Sequence, residues 1–387
     1  MGQSSRNAVI VVILFGLVSL FADIVYEGAR GVIPSYLGLL GAGSFIIGTV
    51  TGLGEFLGYG LRLVFGRFAD TTRKYWLFTT VGYVVNLIAV PLLAFTGRWE
   101  VAAFLILIER LGKAVRTPAR DVLISSAVSS MGRGKGFGLH ETLDQVGGLI
   151  GPLLAFATLY ITNSYPTFFL TLLVPAMLAL ATLYITYRVY PRSVEPLGRR
   201  AEMHGRISKS FWIYLAAVSL SVCGFMTAPL VLYRADESGL MPEPYVPMLY
   251  FLAMGVDGLL ALPSGLLYDR YGLKILALCF ALAPLIPITS FNGGLTGLIL
   301  AAIILGVVLS MHETIMRAAV ADLSEMAVRG TAYGIFNTAY GFSWLIAGST
   351  IGYLYRFGGV WVFMYSALLQ LPAIVLISTL SGTSGSR

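Results

Sequence analysis

Long apolar runs follow one another along this chain with short polar connections, and about twenty apolar residues are what a helix needs to cross a bilayer core of roughly 30 Å. Stretches such as Ala8 to Ala22 and Leu368 to Leu380 carry no charge. The runs predict helices near 8–38, 44–65, 76–96, 100–125, 137–162 and 166–188, then near 209–234, 244–267, 274–291, 295–319, 331–354 and 359–380. A transmembrane β-barrel would show segments of about ten residues with alternating polarity instead. Only 12% of the residues are charged, against about a quarter in a soluble domain. The expected class is therefore an all-α membrane protein with twelve transmembrane helices. The 44 glycines fit it, because glycine lets helix backbones approach closely within a membrane.

The distribution of basic residues predicts the orientation. With a cytoplasmic N-terminus, sixteen Lys and Arg face the cytoplasm: Arg6, Arg67, Arg73, Lys74, Arg133, Lys135, Arg188, Arg192, Arg199, Arg200, Arg206, Lys209, Arg270, Lys274, Arg329 and Arg387. Only Arg98, Arg234 and Arg356 face the other side. Basic residues placed this way speak for membrane orientation and against nucleic-acid binding. The first apolar run is read as a retained helix, since no small-residue cleavage site follows it. Both termini are expected to be cytoplasmic, in a multi-pass protein of the cell membrane.

The chain repeats itself. Gly66-Arg-Phe-Ala-Asp70-Thr-Thr-Arg73-Lys74 follows the second predicted helix, and Gly265-Leu-Leu-Tyr-Asp269-Arg270-Tyr-Gly272-Leu-Lys274 follows the eighth, 199 residues on. Arg133-Gly-Lys-Gly-Phe-Gly138 precedes the fifth, and Arg329-Gly-Thr-Ala-Tyr-Gly334 precedes the eleventh, 196 residues on. Two matches at nearly one offset predict two pseudo-symmetric six-helix halves, 1–188 and 209–387, joined by a cytoplasmic linker at 189–208. Internal repeats of this kind are typical of secondary transporters.

These motifs resemble those of the major facilitator superfamily over essentially the whole chain. The family's loop pattern, G-x-x-x-D-R/K-x-G-R/K-R/K, is matched by Gly265, Asp269, Arg270, Gly272 and Lys274, and in the first copy by Gly66, Asp70 and Lys74, where Thr71 and Arg73 replace the basic residue and the second glycine. The resemblance implies the major facilitator fold, and a gating role for the loop aspartate Asp70, with Asp269 and Arg270 in the second copy. Gly147-Gly-Leu-Ile-Gly151-Pro152-Leu-Leu-Ala155 is similar to the signature of the family's antiporters, G-x-x-x-G-P-x-x-G/A. It implies export. Gly151 and Pro152 are gating candidates too, because proline removes a helix hydrogen bond and glycine permits bending. Arg110 matches the arginine of the family's R-x-x-x-G motif, with Ala114 in place of the glycine.

Ionisable residues within membrane helices are costly and mark functional sites. Asp23, Glu27 and Arg30 share one face of the first helix. A carboxylate enclosed in a low-dielectric cavity takes up a proton more readily than in water, so Asp23, Glu27, Glu109, Asp144 and Glu313 are the proton-coupling candidates. Arg110, Lys113 and Arg116 recur at three-residue spacing on the fourth helix and, with Arg30 and His312, are the substrate-binding candidates, the cations favouring an anionic group. Each of these residues has a simpler reading as part of an ion pair that orients helices. His140-Glu141 and His312-Glu313 invite a metal reading, but neighbours on a helix point about 100° apart, and no metal site is expected.

No phosphate-binding loop or nucleophile motif is present in the sequence, so no enzyme and no cofactor are expected. The expected function is secondary active transport, proton-coupled efflux of a small molecule by alternating access, carried out by a monomer in the lipid bilayer. The alternatives are a proton-coupled importer or a uniporter of a small organic solute, and, from another class, a non-transporting membrane sensor.

Overall fold

The computed structural model describes residues 3–127, 133–190, 207–326 and 328–383, with side chains at 9–127, 140–190, 207–326 and 328–380. The linker residues 191–206 and the side chains of Arg133 and Lys135 lie outside the described residues. Seventeen α-helices account for the twelve expected spans, with five spans broken in two. The first span is α1 (Gln3–Arg30) and α2 (Ile33–Leu39), and the second is α3 (Ser44–Gly60) and α4 (Arg62–Thr72). Then come α5 (Tyr75–Leu92), α6 (Trp99–Ala127), α7 (Arg133–Thr162), and the sixth span as α8 (Tyr165–Thr171) and α9 (Leu173–Val189). The seventh is α10 (Lys209–Cys223) and α11 (Ala228–Glu237), followed by α12 (Val246–Tyr271). The ninth is α13 (Ile275–Leu282) and α14 (Leu285–Asn292), and α15 (Gly294–Asp322), α16 (Arg329–Tyr355) and α17 (Gly359–Thr383) complete the set.

Four of the breaks share one cause. Pro34, Pro175, Pro229 and Pro287 lack the N–H that would bond the carbonyls of Arg30, Thr171, Phe225 and Ala283, and the helices stop at or beside those four residues. Other prolines, among them Pro118, Pro152 and Pro263, lie inside helices that continue through them. Among the described residues, eight stretches are long and apolar enough to cross a membrane by length and composition, the longest, Glu243–Asn292, running through α12 to α14. α3, α6 and α16 are not among them. α3 is short, α6 is heavily charged, and α16 is rich in glycine and polar residues.

The chain forms two compact units. The first comprises Met1–Ile33 and Leu61–Arg199. In it α1 lies against α7 and α9, and α5 lies along α6. Phe15, stacked on Trp76 at 5.7 Å between ring centres, packs into a cluster with Val12, Leu123 and Ile124. The second unit comprises Pro34–Gly60 and Arg200–Arg387. Its core runs from Phe211 and Tyr214 through Phe280, Ile315 and Phe336. There α3 and α16 pack most intimately, along Gly48 and Gly52 on one helix and Gly348 and Gly352 on the other. Each pair is four residues apart, the spacing that puts small residues on one helix face. A methyl group on Gly52 would fall 2.6 Å from the carbonyl oxygen of Trp344. Ser44 Oγ donates to the Gly352 carbonyl at 2.8 Å.

Both copies of the loop motif pass through positive φ at matching places, with different ψ, −147° at Gly272 and +18° at Arg73. Gly272 ends α12 with φ +60°. Arg73, at the matching place after α4, takes φ +56°. The chain thus makes its left-handed turn in the first copy without glycine, at a cost on the order of 1 kcal/mol.

Candidate functional site

The first unit encloses a continuous set of charged and polar side chains, made possible by glycine on α7. A methyl group on Gly147 would come within 2.9 Å of Asp23 Cβ, and one on Gly151 within 2.9 Å of Gly28 Cα. With no side chains between them, α1 and α7 close up. The carboxyl groups of Asp23, 5% exposed, and of Asp144 then come within hydrogen-bonding reach of each other. One oxygen of each has no hydrogen-bond partner. Lys113 of α6 is a nearby cation. Spacing within α1 pointed to Glu27 as the carboxyl coupled to Asp23. Glu27 instead holds Arg30 at 2.9 Å, and the closer partner of Asp23 comes from α7.

One turn along both helices lies a second group. Ser19 Oγ and His140 Nε2 are 2.9 Å apart, and Arg120 Nη1 donates to Ser19 Oγ at 3.4 Å. Arg120 also holds the carboxylate of Asp121 through Nε at 3.0 Å and Nη2 at 2.9 Å. Asp23, Asp144, His140 and Ser19 thus follow one another along the α1–α7 seam, and Arg120 stands between Ser19 and the more exposed Asp121.

Between α5 and α6, Asn86 Nδ2 donates to Glu109 Oε1 at 2.7 Å and to the Glu109 carbonyl at 3.1 Å. Arg110 Nε reaches Glu109 Oε2 at 3.2 Å, so a buried acid and a buried base satisfy one another. Arg116, 1% exposed, is different. Its guanidinium lies 4.3 Å from the ring centre of Tyr83 and 5.5 Å from that of Tyr26, and its Nε and Nη1 have no hydrogen-bond partner. Lys113 Nζ sits 4.2 Å over the same Tyr26 ring, and Arg30 lies 5.8 Å from it. A recess on this side is lined by Tyr26, Arg30, Glu109 and Arg110 among apolar neighbours including Ile33 and Leu105.

The remaining candidates lie apart from this set. In the second unit His312 is buried with neither ring nitrogen partnered, its ring 5.2 Å from Phe225 and 6.3 Å from Tyr340, while Glu313 is exposed on another side of α15. Asp70 is exposed and accepts from Tyr75 Oη at 3.1 Å within its own unit. Asp269 and Arg270 are exposed at the end of α12, Arg270 beside the Tyr271 ring at 5.3 Å. Gly151 and Pro152 stand in α7 where it meets α1. Sequence reasoning missed Tyr26, Tyr83, Asn86 and Ser19. The spacing of Thr79, Tyr83 and Asn86, which places three polar groups on one face of α5, was the available signal.

A multi-pass bundle with charges enclosed at its helix seams defines a membrane carrier for a small molecule. The chain belongs to the major facilitator superfamily, whose sequence pattern it matches over residues 15–272 and 245–384. It is a secondary transporter of that family. It is similar to an uncharacterized protein of Mycobacterium tuberculosis (strain H37Rv), 39% identical over 374 residues, covering 95% of this chain and 91% of that one. An uncharacterized MFS-type transporter of Methanocaldococcus jannaschii is 28% identical over 376 residues, covering 95% and 94%. Among solved structures, a peptide transporter POT in complex with sulfate superposes with TM-score 0.78 at 13% identity, covering 99% of this chain and 98% of that one. The nucleoside transporter NupG superposes with TM-score 0.71 at 12% identity, covering 97% and 100%. At these identities the two share the fold.

Proposed function

We propose that this protein is a proton-coupled exporter of a small molecule, working by alternating access as a monomer in the cell membrane with both termini cytoplasmic. The observation that carries the reading is the pair of facing carboxyl groups, Asp23 and Asp144, enclosed beside Lys113. Two carboxylates that close repel, and one proton held between them relieves the repulsion. Loss or gain of that proton alters the attraction of Lys113 for the pair. It therefore biases the balance between conformations by the difference in affinity. His140, Ser19 and Asp121 are the route by which the proton reaches the cytoplasm. Glu27 with Arg30, and Glu109 with Arg110, hold the surrounding charges neutral. Asp70, Asp269 and Arg270 act as gate residues at the cytoplasmic helix ends, and Gly151 with Pro152 lets α7 move against α1. Glu313 and His312 contribute from the second unit. Export rests on the glycine and proline signature in α7.

A second reading, uptake of an anion together with a proton, is favoured by one observation. Arg116 is a buried guanidinium with two unpartnered nitrogens, and protonating the carboxyl pair would strengthen its call for an anion. Compounds that raise the unfolding midpoint in detergent should be loaded into or outside proteoliposomes, and their flux followed under an imposed pH gradient. Movement opposite to the proton supports export by exchange, and movement with it supports the second reading. Flux indifferent to the gradient and to membrane potential contradicts both.

A further inference from the structure

We propose that Arg116 and Lys113, with the rings of Tyr26 and Tyr83, form a binding site for the carboxylate of a small monovalent organic acid. The inference rests on the transporter reading for its biological use, but the site itself follows from burial and charge.

Consider the charges that α1, α6 and α7 bring together among the residues whose side chains are described, the exposed Glu100 and Glu141 aside. Arg30 is held by Glu27 at 2.9 Å, Arg110 by Glu109 at 3.2 Å and Arg120 by Asp121 at 2.9 Å. Lys113, Arg116, Asp23 and Asp144 are left. The two acids lie together beside Lys113. Among the described residues no carboxylate pairs with Arg116. The side chain is enclosed, its Nε and Nη1 lack hydrogen-bond partners, and two phenol rings lie beside its guanidinium. A buried guanidinium without an acceptor is a strongly unfavourable arrangement. A carboxylate would supply both the charge and the acceptor atoms, since guanidinium and carboxylate match in plane and spacing. One unpartnered guanidinium calls for a single negative charge, which a phosphate dianion would exceed. Tyr26 borders the recess together with Ile33 and Leu105, apolar surface for the body of an organic acid, and Lys113, 4.2 Å over Tyr26, is a second cation beside it. The Tyr83 hydroxyl, which has no partner, can donate to the same anion.

The test uses the purified full-length protein in detergent, with no membrane and no gradient. Acetate, benzoate, the neutral isostere benzamide, and inorganic phosphate are titrated while the thermal unfolding midpoint and intrinsic fluorescence are followed. Saturable binding is expected for benzoate, weaker for acetate, and absent for benzamide and phosphate. Arg116→Gln should weaken benzoate at least tenfold, Arg116→Lys less, and Lys113→Met by an intermediate factor. A further readout separates a site from a strut: without ligand, Arg116→Gln should unfold at a higher temperature than the parent, because it removes a buried charge that has no partner. Should Arg116→Gln fail to fold, or unfold lower, Arg116 is a structural partner and the proposal is overturned. It is equally overturned if neither carboxylate binds, if benzamide or phosphate binds as well as benzoate, or if benzoate affinity is unchanged in both Arg116→Gln and Lys113→Met. Proton-independent flux in liposomes, with carboxylate binding retained here, would sink the coupling reading alone.

Discussion

Asp23 on α1 and Asp144 on α7 present their carboxyl groups to one another, and one oxygen of each is without a hydrogen-bond partner. On the proposed function, a proton shared by the pair would supply the missing donor and remove a repulsion between enclosed like charges. The two residues should therefore act as a unit. Asp23→Asn and Asp144→Asn are each expected to abolish flux driven by a pH gradient while leaving exchange of substrate across the membrane at equal pH. The double replacement should cost little more than either single one, as coupled sites do not add. Independent, multiplying losses in proteoliposome flux would show that the two carboxyls work apart.

The Glu109–Arg110 pair predicts a stability effect. Glu109→Gln preserves the shape and the bond from Asn86 but removes the negative charge 3.2 Å from Arg110 Nε. Breaking a buried pair on one side typically costs about 3–5 kcal/mol, whereas replacing both partners by apolar groups is often neutral. Glu109→Gln should lower the unfolding midpoint markedly, and Glu109→Leu combined with Arg110→Met should restore most of it. A single replacement without effect on the midpoint would mean that Arg110 finds another partner.

Close approach of α1 and α7 gives a test with an internal control. An added methyl at Gly151 meets the backbone of Gly28 within 2.9 Å, while at Gly148 its nearest neighbour is Glu27 Cγ at 3.9 Å. Overpacking costs about 1–3 kcal/mol. Gly151→Ala should therefore lower both the unfolding midpoint and transport, by moving Asp23 from Asp144, and Gly148→Ala should do neither. Equal behaviour of the two variants would contradict the seam.

Arg73 adopts the left-handed conformation, φ +56° and ψ +18°, at the place in the loop motif where the second copy has Gly272. Glycine there relieves strain on the order of 1 kcal/mol but loosens the unfolded chain by a similar amount. Arg73→Gly should leave the unfolding midpoint nearly unchanged, whereas Arg73→Val, β-branched at positive φ, should lower it. A stabilised Arg73→Val would show that the turn is not left-handed.

The number and order of the spans were legible because lipid leaves few options: apolar runs of the right length must become helices. The breaks at Gly31, Leu172, Gly224 and Ala283 were not, since hydropathy does not register a missing N–H, although the prolines three to five residues later mark them. At the site, the sequence named Asp23, Asp144, Lys113 and Arg116 but paired Asp23 with Glu27. Spacing on one helix reports only that helix, and the approach of Asp144 depends on Gly147 of α7 lying against α1. Tyr26 and Tyr83 were invisible for a related reason. An aromatic residue in an apolar run reads as lipid-facing or core until its neighbours, here Lys113 and Arg116, are located.

The claim that Asp23 and Asp144 hold a common proton can be measured without knowing the substrate. Infrared titration of the purified protein in lipid should show the C=O absorption of a protonated carboxyl group persisting at neutral pH in the parent, and missing in both Asp23→Asn and Asp144→Asn. If that absorption survives unchanged in both variants, or is absent from the parent, the proton is not carried by this pair.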